Sequence, residues 1–163
     1  LTQEDFNDRK RYLNIKHTID ALLKHNVVPI INENDTVATD EIRCGDNDRL
    51  SSLVADIAGC DTLILLTDVD GLLDENGSVI STVTDLNQKI MRLGGKSHCD
   101  LGSGGMATKL ESARAASKAG IDCIIANGRS KDILQRIVVD GERLGTMISC
   151  GKKGHAAKKP AVI

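Results

Sequence analysis

Apolar residues along this chain alternate between a helical period and short unbroken runs, and that alternation predicts most of its elements. Leu13, Ile15, Ile19, Leu22 and Leu23 recur near a helical period between Thr2 and His25, with Thr2 and Asp5 at capping-box spacing and Asn26 as a stop. Val27-Val28-Pro29-Ile30-Ile31 then reads as a short buried strand, weakened by Pro29, which donates no ladder hydrogen bond. Leu50, Leu53, Val54, Ile57 and Ala58 predict a helix from Asp48 to Gly59, and the run Thr62 to Thr67 predicts a strand. A turn at Asp74-Glu75-Asn76-Gly77 separates two extended pieces within 74–82, followed by a weak helix from Leu86 to Leu93. A long helix from Met106 to Ala119 stops at Gly120. A strand from Asp122 to Asn127, a helix from Ile133 to Val139 and a closing edge strand from Gly145 to Ile148 complete the pattern. Helices alternating with strands imply an α/β sandwich whose parallel strands offer ligands their carboxyl ends. Polar motifs fall there: Asn32 to Asp35, Asp68 to Gly71, and Asn127-Gly128 each follow an expected strand.

Composition narrows this picture. The 163 residues suit one domain, and with Phe6 and Tyr12 as the only aromatics the core is built from Ile, Leu, Val and Ala, as in helices packed on a parallel sheet. A net charge of -2 and few stacking side chains give no reason to expect nucleic-acid binding. Five widely spaced cysteines with no C-x-x-C pair read as reduced thiols, so a cytoplasmic setting is expected, and no stretch has the length of a membrane span. The chain opens at Leu1 within a helical pattern, which suggests an upstream part cut away. Residues 1–149 read as one domain, followed by a basic, mobile tail over 150–163.

Three segments carry candidate chemistry. In Gly102-Ser103-Gly104-Gly105-Met106-Ala107-Thr108-Lys109, glycines let backbone N–H groups approach an anion, and the helix opening near Met106 adds its positive end. It is not a Walker A loop, because Lys109 follows Thr108 rather than a glycine. A lysine on a first helical turn is ordinarily a surface residue that gains nothing from the helix dipole, and it makes sense when an anion lies between. The loop from Asn32 to Asp48 is dense in carboxylates and amides. Asp35 suits an ammonium group and Asn47 a carboxylate, as in an amino-acid ligand, while a solvated acidic loop with Asp46 or Asn47 capping the next helix accounts for it equally. Asp68 and Asp70 in the turn Asp68-Val69-Asp70-Gly71 suit a ribose hydroxyl, a calcium ion or simple turn formation, without the remaining ligands of an EF-hand.

Four ordered motifs together are more specific: Val28-Pro29-Ile30-Ile31-Asn32-Glu33-Asn34-Asp35, Gly45-Asp46-Asn47-Asp48, Leu65-Leu66-Thr67-Asp68-Val69-Asp70-Gly71-Leu72, and Gly104-Gly105-Met106-Ala107-Thr108-Lys109. They resemble the amino acid kinase family, in its glutamate-phosphorylating branch, over nearly all of Leu1 to Ile148. The resemblance implies a three-layer α/β sandwich with a mainly parallel sheet, and ATP-dependent phosphorylation, with Mg²⁺, of the side-chain carboxylate of L-glutamate at the head of proline synthesis. It further implies that Asp35 and Asn47 contact glutamate, that Thr67 and Asp68 lie at the nucleotide, and that Ser103, Gly104, Gly105, Met106, Ala107, Thr108 and Lys109 form the second nucleotide segment. Asp48 then orients catalytic lysines, Lys109 among them. Proline as feedback inhibitor and a homo-oligomer follow from the same likeness. The family's opening strand and lysine-bearing glycine turn have no counterpart here, so the chain reads as the later portion of such a domain, of doubtful turnover when isolated. A sister kinase acting on another acid, and a non-catalytic amino-acid-binding module, stay open as alternatives.

Overall fold

The computed structural model describes residues 1–34, 46–95 and 105–151. The expected first helix is divided at Asp8 into α1 (Gln3–Asn7) and α2 (Arg9–Lys24). Asp8 closes α1 in an extended conformation, and its carboxylate then caps α2 by accepting the Arg11 N–H. The Thr2 N–H donates to Asp5 Oδ2 at 2.8 Å, the half of the expected capping box that protects the chain's first N–H. Then follow α3 (Asp46–Ile57), β1 (Thr62–Thr67), β2 (Thr82–Val83), α4 (Gln88–Leu93), α5 (Met106–Ala119), β3 (Asp122–Asn127), α6 (Ile133–Val138) and β4 (Thr146–Ile148). α5 and β3 have the bounds their periodicity predicts. Gly120 stops α5 in the left-handed conformation, with its N–H on the carbonyls of Ala116 and Ser117.

The four strands among the described residues form one sheet in the order β1-β3-β4-β2. β1 and β3 run parallel, as do β2 and β4, whereas β3 and β4 are antiparallel. β4 is therefore an interior strand and not the expected edge. It has a neighbour on each side, and Thr146 and Ile148 are fully buried. Gly145, just before it, has a φ of +76°, and a Cβ there would strike the Ile125 carbonyl oxygen, so only glycine lets the two strands approach.

Alternation along the strands builds the layers. Leu63, Leu65, Cys123, Ile125 and Ile148 face one side and pack on Leu110, Ala113 and Ala116 of α5. Ile64, Ile124 and Ala126 face the other and meet Ile133 of α6. α3 lies beside α5 and turns Leu50, Val54 and Ile57 toward Ile19 of α2. At the end of α4, a Cβ on Gly94 would lie 2.8 Å from Leu110 Cδ1, so the bare glycine lets α4 close down on the first turns of α5.

The expected strand Val27–Ile31 does not form. Val28 is 77% and Ile30 97% exposed, and Ile31 alone in that run packs against a core cluster. The neighbouring backbone is tied instead to the amino terminus: the Leu1 ammonium donates to Asn32 O at 3.0 Å, and the Asn34 N–H to Leu1 O at 2.8 Å. A strand exists only where a neighbour completes its ladder, and no described strand pairs with this segment, although Ile31 lines a cavity together with Ile64, Leu65 and Leu66 of β1. The expected tail lies almost wholly outside the described residues.

Candidate active site

The first turns of α3 and α5 meet at one carboxylate. Asp48, on α3, accepts from Lys109 Nζ at 2.9 Å on Oδ1 and 3.0 Å on Oδ2, and from Thr108 Oγ1 at 3.0 Å. Sixty-one residues separate Asp48 from Lys109, so the pair joins two helices rather than neighbours in one. Their side chains are only 15% and 11% exposed, and a cation so sheltered needs its partner. Lys109 therefore has an anion in front of it, as its position on a positive helix end demanded. That anion, among the described residues, is Asp48.

The hydroxyl of Thr108 also lies 2.7 Å from Gly105 O and has one proton to donate. When it turns to Asp48, it holds the carboxylate toward Lys109. When it turns to Gly105, it closes the first turn of its own helix. The sequence signal for this contact was only the adjacency of Thr108 and Lys109, because which helix faces them is a matter of tertiary packing.

At the start of α5, Gly105 is an N-cap without a side-chain acceptor, at the positive end of a 14-residue helix. Ser103, Gly104 and Asp35 lie outside the described residues. Asn47 stands next to Asp48 in α3, exposed, and its Oδ1 accepts the Glu33 N–H at 3.0 Å. This bond joins the Asn32–Asn34 stretch to α3 and leaves Nδ2 as the donor. A cavity of about 330 Å³ opens here, lined by Asn32, Asn47, Asp48 and Ser51 on its polar side and by Val54 and Ile64 among its apolar walls.

Thr67 and Asp68 sit at the carboxyl end of β1, with Thr67 Oγ1 at 3.4 Å from Asp68 Oδ1. Beside them Asn127, ending β3, donates from Nδ2 to Asp70 Oδ1 at 2.8 Å. Residue patterns marked Asn127 as polar at a strand end but gave it no role. Beneath the site, Cys123 is fully buried. Burial first, then the charges of Asp48 and Asp122, push its thiol up to about 12, so it is a core residue and no nucleophile.

Among the described residues no cluster of three or more His, Cys, Asp or Glu is placed to hold a metal ion. Nor is any described helix long and apolar enough to cross a membrane.

Comparison with known proteins adds an independent line. Residues 1–127 match the amino acid kinase family. The chain is 43% identical over 165 residues to a glutamate 5-kinase of Thermoanaerobacter sp. (strain X514), covering 98% of this chain and 44% of that protein. It is 47% identical over 169 residues to a glutamate 5-kinase of Shewanella oneidensis, covering 100% of this chain and 45% of the relative. It thus spans less than half the length of these curated relatives. Among solved structures, the carbamate kinase of Giardia lamblia bound to AMP-PNP superposes with a TM-score of 0.55 at 22% identity, over 82% of this chain and 44% of that one, a likeness of fold alone. The motif resemblance, the layered sheet and the match over residues 1–127 agree, and the chain belongs to the amino acid kinase family.

Proposed function

We propose that this chain carries the acceptor and nucleotide sites of a kinase that transfers the γ-phosphoryl group of ATP to the side-chain carboxylate of L-glutamate. The observation that carries the reading is Lys109 held by both oxygens of Asp48 at the mouth of α5, beside a helix end whose N-cap is a glycine. Phosphoryl transfer asks a protein mainly for alignment and for charge placed where charge develops. Lys109 supplies the cation and Asp48 fixes its direction. The N–H groups of Met106 and Ala107 supply donors that need no reorganisation. Glutamate enters the cavity beside Asn47, whose Nδ2 donates to a carboxylate of the amino acid, with Asp35 expected at its ammonium group. A side-chain carboxylate is already ionised near neutral pH, so no general base is needed. Its oxygen forms the new bond to the γ-phosphorus, the bond from that phosphorus to the β,γ-bridging oxygen breaks, and ADP leaves with the electron pair.

Mg²⁺ fits as a companion of the nucleotide. Because Asp48 is engaged by Lys109 and Thr108, the exposed carboxylate of Asp68 is the group that would hold the ion. In this reading the ion supplies charge neutralisation on the phosphates. The product, glutamyl 5-phosphate, places the enzyme at the start of proline synthesis, with proline as a feedback ligand, a homo-oligomeric assembly and a cytoplasmic setting.

The test mixes the protein with glutamate, ATP and Mg²⁺ and traps the acyl phosphate with hydroxylamine. Hydroxamate formed with glutamate, and much less with aspartate or acetylglutamate, is the expected result. Product from another acid and none from glutamate overturns the substrate. Heat of glutamate binding in a calorimeter, without any hydroxamate, favours a binding module instead.

A further inference from the structure

The loop that follows β1 is held at two points from other strands, and only one of them lies in the core. In the interior, the hydroxyl of Thr146 on β4 accepts the Leu72 N–H at 2.8 Å, with Thr146 fully buried. At the surface, Asn127 at the end of β3 donates to Asp70 at 2.8 Å. The orientation of the Asn127 amide is not arbitrary, since its Oδ1 accepts the Arg129 N–H at 2.9 Å and only Nδ2 then faces Asp70. The backbone beside it is fixed as well: Thr67 and Asn127 are partners in the parallel register, and the Gly128 N–H donates to Thr67 O at 2.8 Å. Asn127 is thus a rigid donor aimed across the carboxyl end of the sheet, the region where open α/β sheets bind ligands.

We infer that Asn127 is a positioning residue for the nucleotide, acting through Asp70 to hold the turn of residues 68–71 in its binding shape. The inference rests on the kinase reading above, in which Thr67 and Asp68 meet the nucleotide. A turn carrying both Asp68 and Asp70 has two like charges close together, and it gains from a neutral donor that draws one of them aside. Without Asn127 the turn is held only at its two ends, Thr67 and Leu72, and the residues between them are free to sample other shapes. Ordering them again is then paid at each binding event.

The experiment measures ATP·Mg²⁺ binding to the intact protein by calorimetry, alongside KM for glutamate and kcat, for wild type, Asn127→Asp, Asp70→Asn and the double variant. Asn127→Asp keeps the acceptor for Arg129 but sets two carboxylates together, and it is expected to weaken ATP binding by roughly tenfold, the value of one hydrogen bond to a charged group. KM for glutamate stays within about twofold. Asp70→Asn retains an acceptor oxygen and weakens binding less. The double variant restores the contact with its polarity reversed, the amide now on the turn and the carboxylate at the end of β3, and recovers most of the loss. Equal losses in Asn127→Asp and the double variant, or a loss shared equally by ATP and glutamate, overturn the inference while leaving the kinase reading intact. Wild type that binds no ATP overturns both. Thermal melts of all four proteins separate loss of the contact from loss of the fold.

Discussion

Two ion pairs in this molecule have nearly the same geometry and opposite significance. Lys109 meets Asp48 at 2.9 Å across two helices, with side chains 11% and 15% exposed. Arg136 meets Glu142 at 2.7 Å, six residues away, with side chains 37% and 42% exposed. The second is the better formed by hydrogen-bond count, since Nε and Nη2 together make a fork on the carboxylate. Surface pairs of this kind nevertheless contribute little, because water and salt already satisfy both charges. What separates the two is what happens when one partner goes; Asp48→Ala and Arg136→Ala measure that difference, with a buried neutral hydrogen bond between them for scale.

The largest effect is expected at Asp48. Asp48→Ala leaves Lys109, itself 9% exposed, as a sheltered cation without its partner, and breaking such a pair costs about 3–5 kcal/mol. Chemical denaturation should show this as a fall in the midpoint without a change in slope. Removing both charges as Asp48→Leu with Lys109→Met should restore much of the stability, yet leave hydroxamate formation abolished. A double variant as unstable as Asp48→Ala would mean that the contact is packing, not charge.

A middle effect separates polar burial from charge. Thr146→Val keeps the shape of the side chain but strands the Leu72 N–H in the core, for a loss of about 1–3 kcal/mol. It should leave the Lys109–Asp48 pair untouched, because the two lie on different elements. Additivity of Thr146→Val with Asp48→Ala, within about 0.5 kcal/mol, checks that independence.

The Lys109–Asp48 pair also shows how much was readable before any coordinates. Lys109 was conspicuous because its charge opposes the helix dipole, and Asp48 because it closes an amide- and acid-rich loop. Residue pattern alone named neither as the other's partner; the family resemblance did, by giving Asp48 the task of orienting the catalytic lysines, Lys109 among them. Helices and strands with their own periodicity, such as α5 and β3, were legible nearly to the residue. Elements whose state depends on a neighbour were not. Val27–Ile31 has the apolar run of a strand and is left exposed without a ladder. β4, short and late in the chain, looked like an edge and proved interior, because its position is set by pairing with β2 and β3. The Asn127–Asp70 contact was illegible for the same reason: it exists only once β1 and β3 lie side by side in register.

The smallest effect belongs to Arg136, and its dependence on pH and salt is what makes it informative. The hydrogen bonds from Arg136 hold the Glu142 carboxyl below its ordinary value. A carboxyl depressed in the folded state contributes stability that is present above its unfolded pKa and lost as pH falls through the folded one. Any difference in melting temperature between wild type and Arg136→Ala should therefore be small at pH 7, begin to shrink as pH falls below about 4.3, the ordinary glutamate value, and vanish once pH lies below the depressed folded value. Molar salt should erase it at pH 7 as well. The deficit of Asp48→Ala should by contrast largely survive molar salt, because a pair only 11% and 15% exposed is screened far less than one at the surface. If salt abolished both deficits equally, burial would not be what distinguishes the two pairs, and the positioning role given to Asp48 would lose its physical basis.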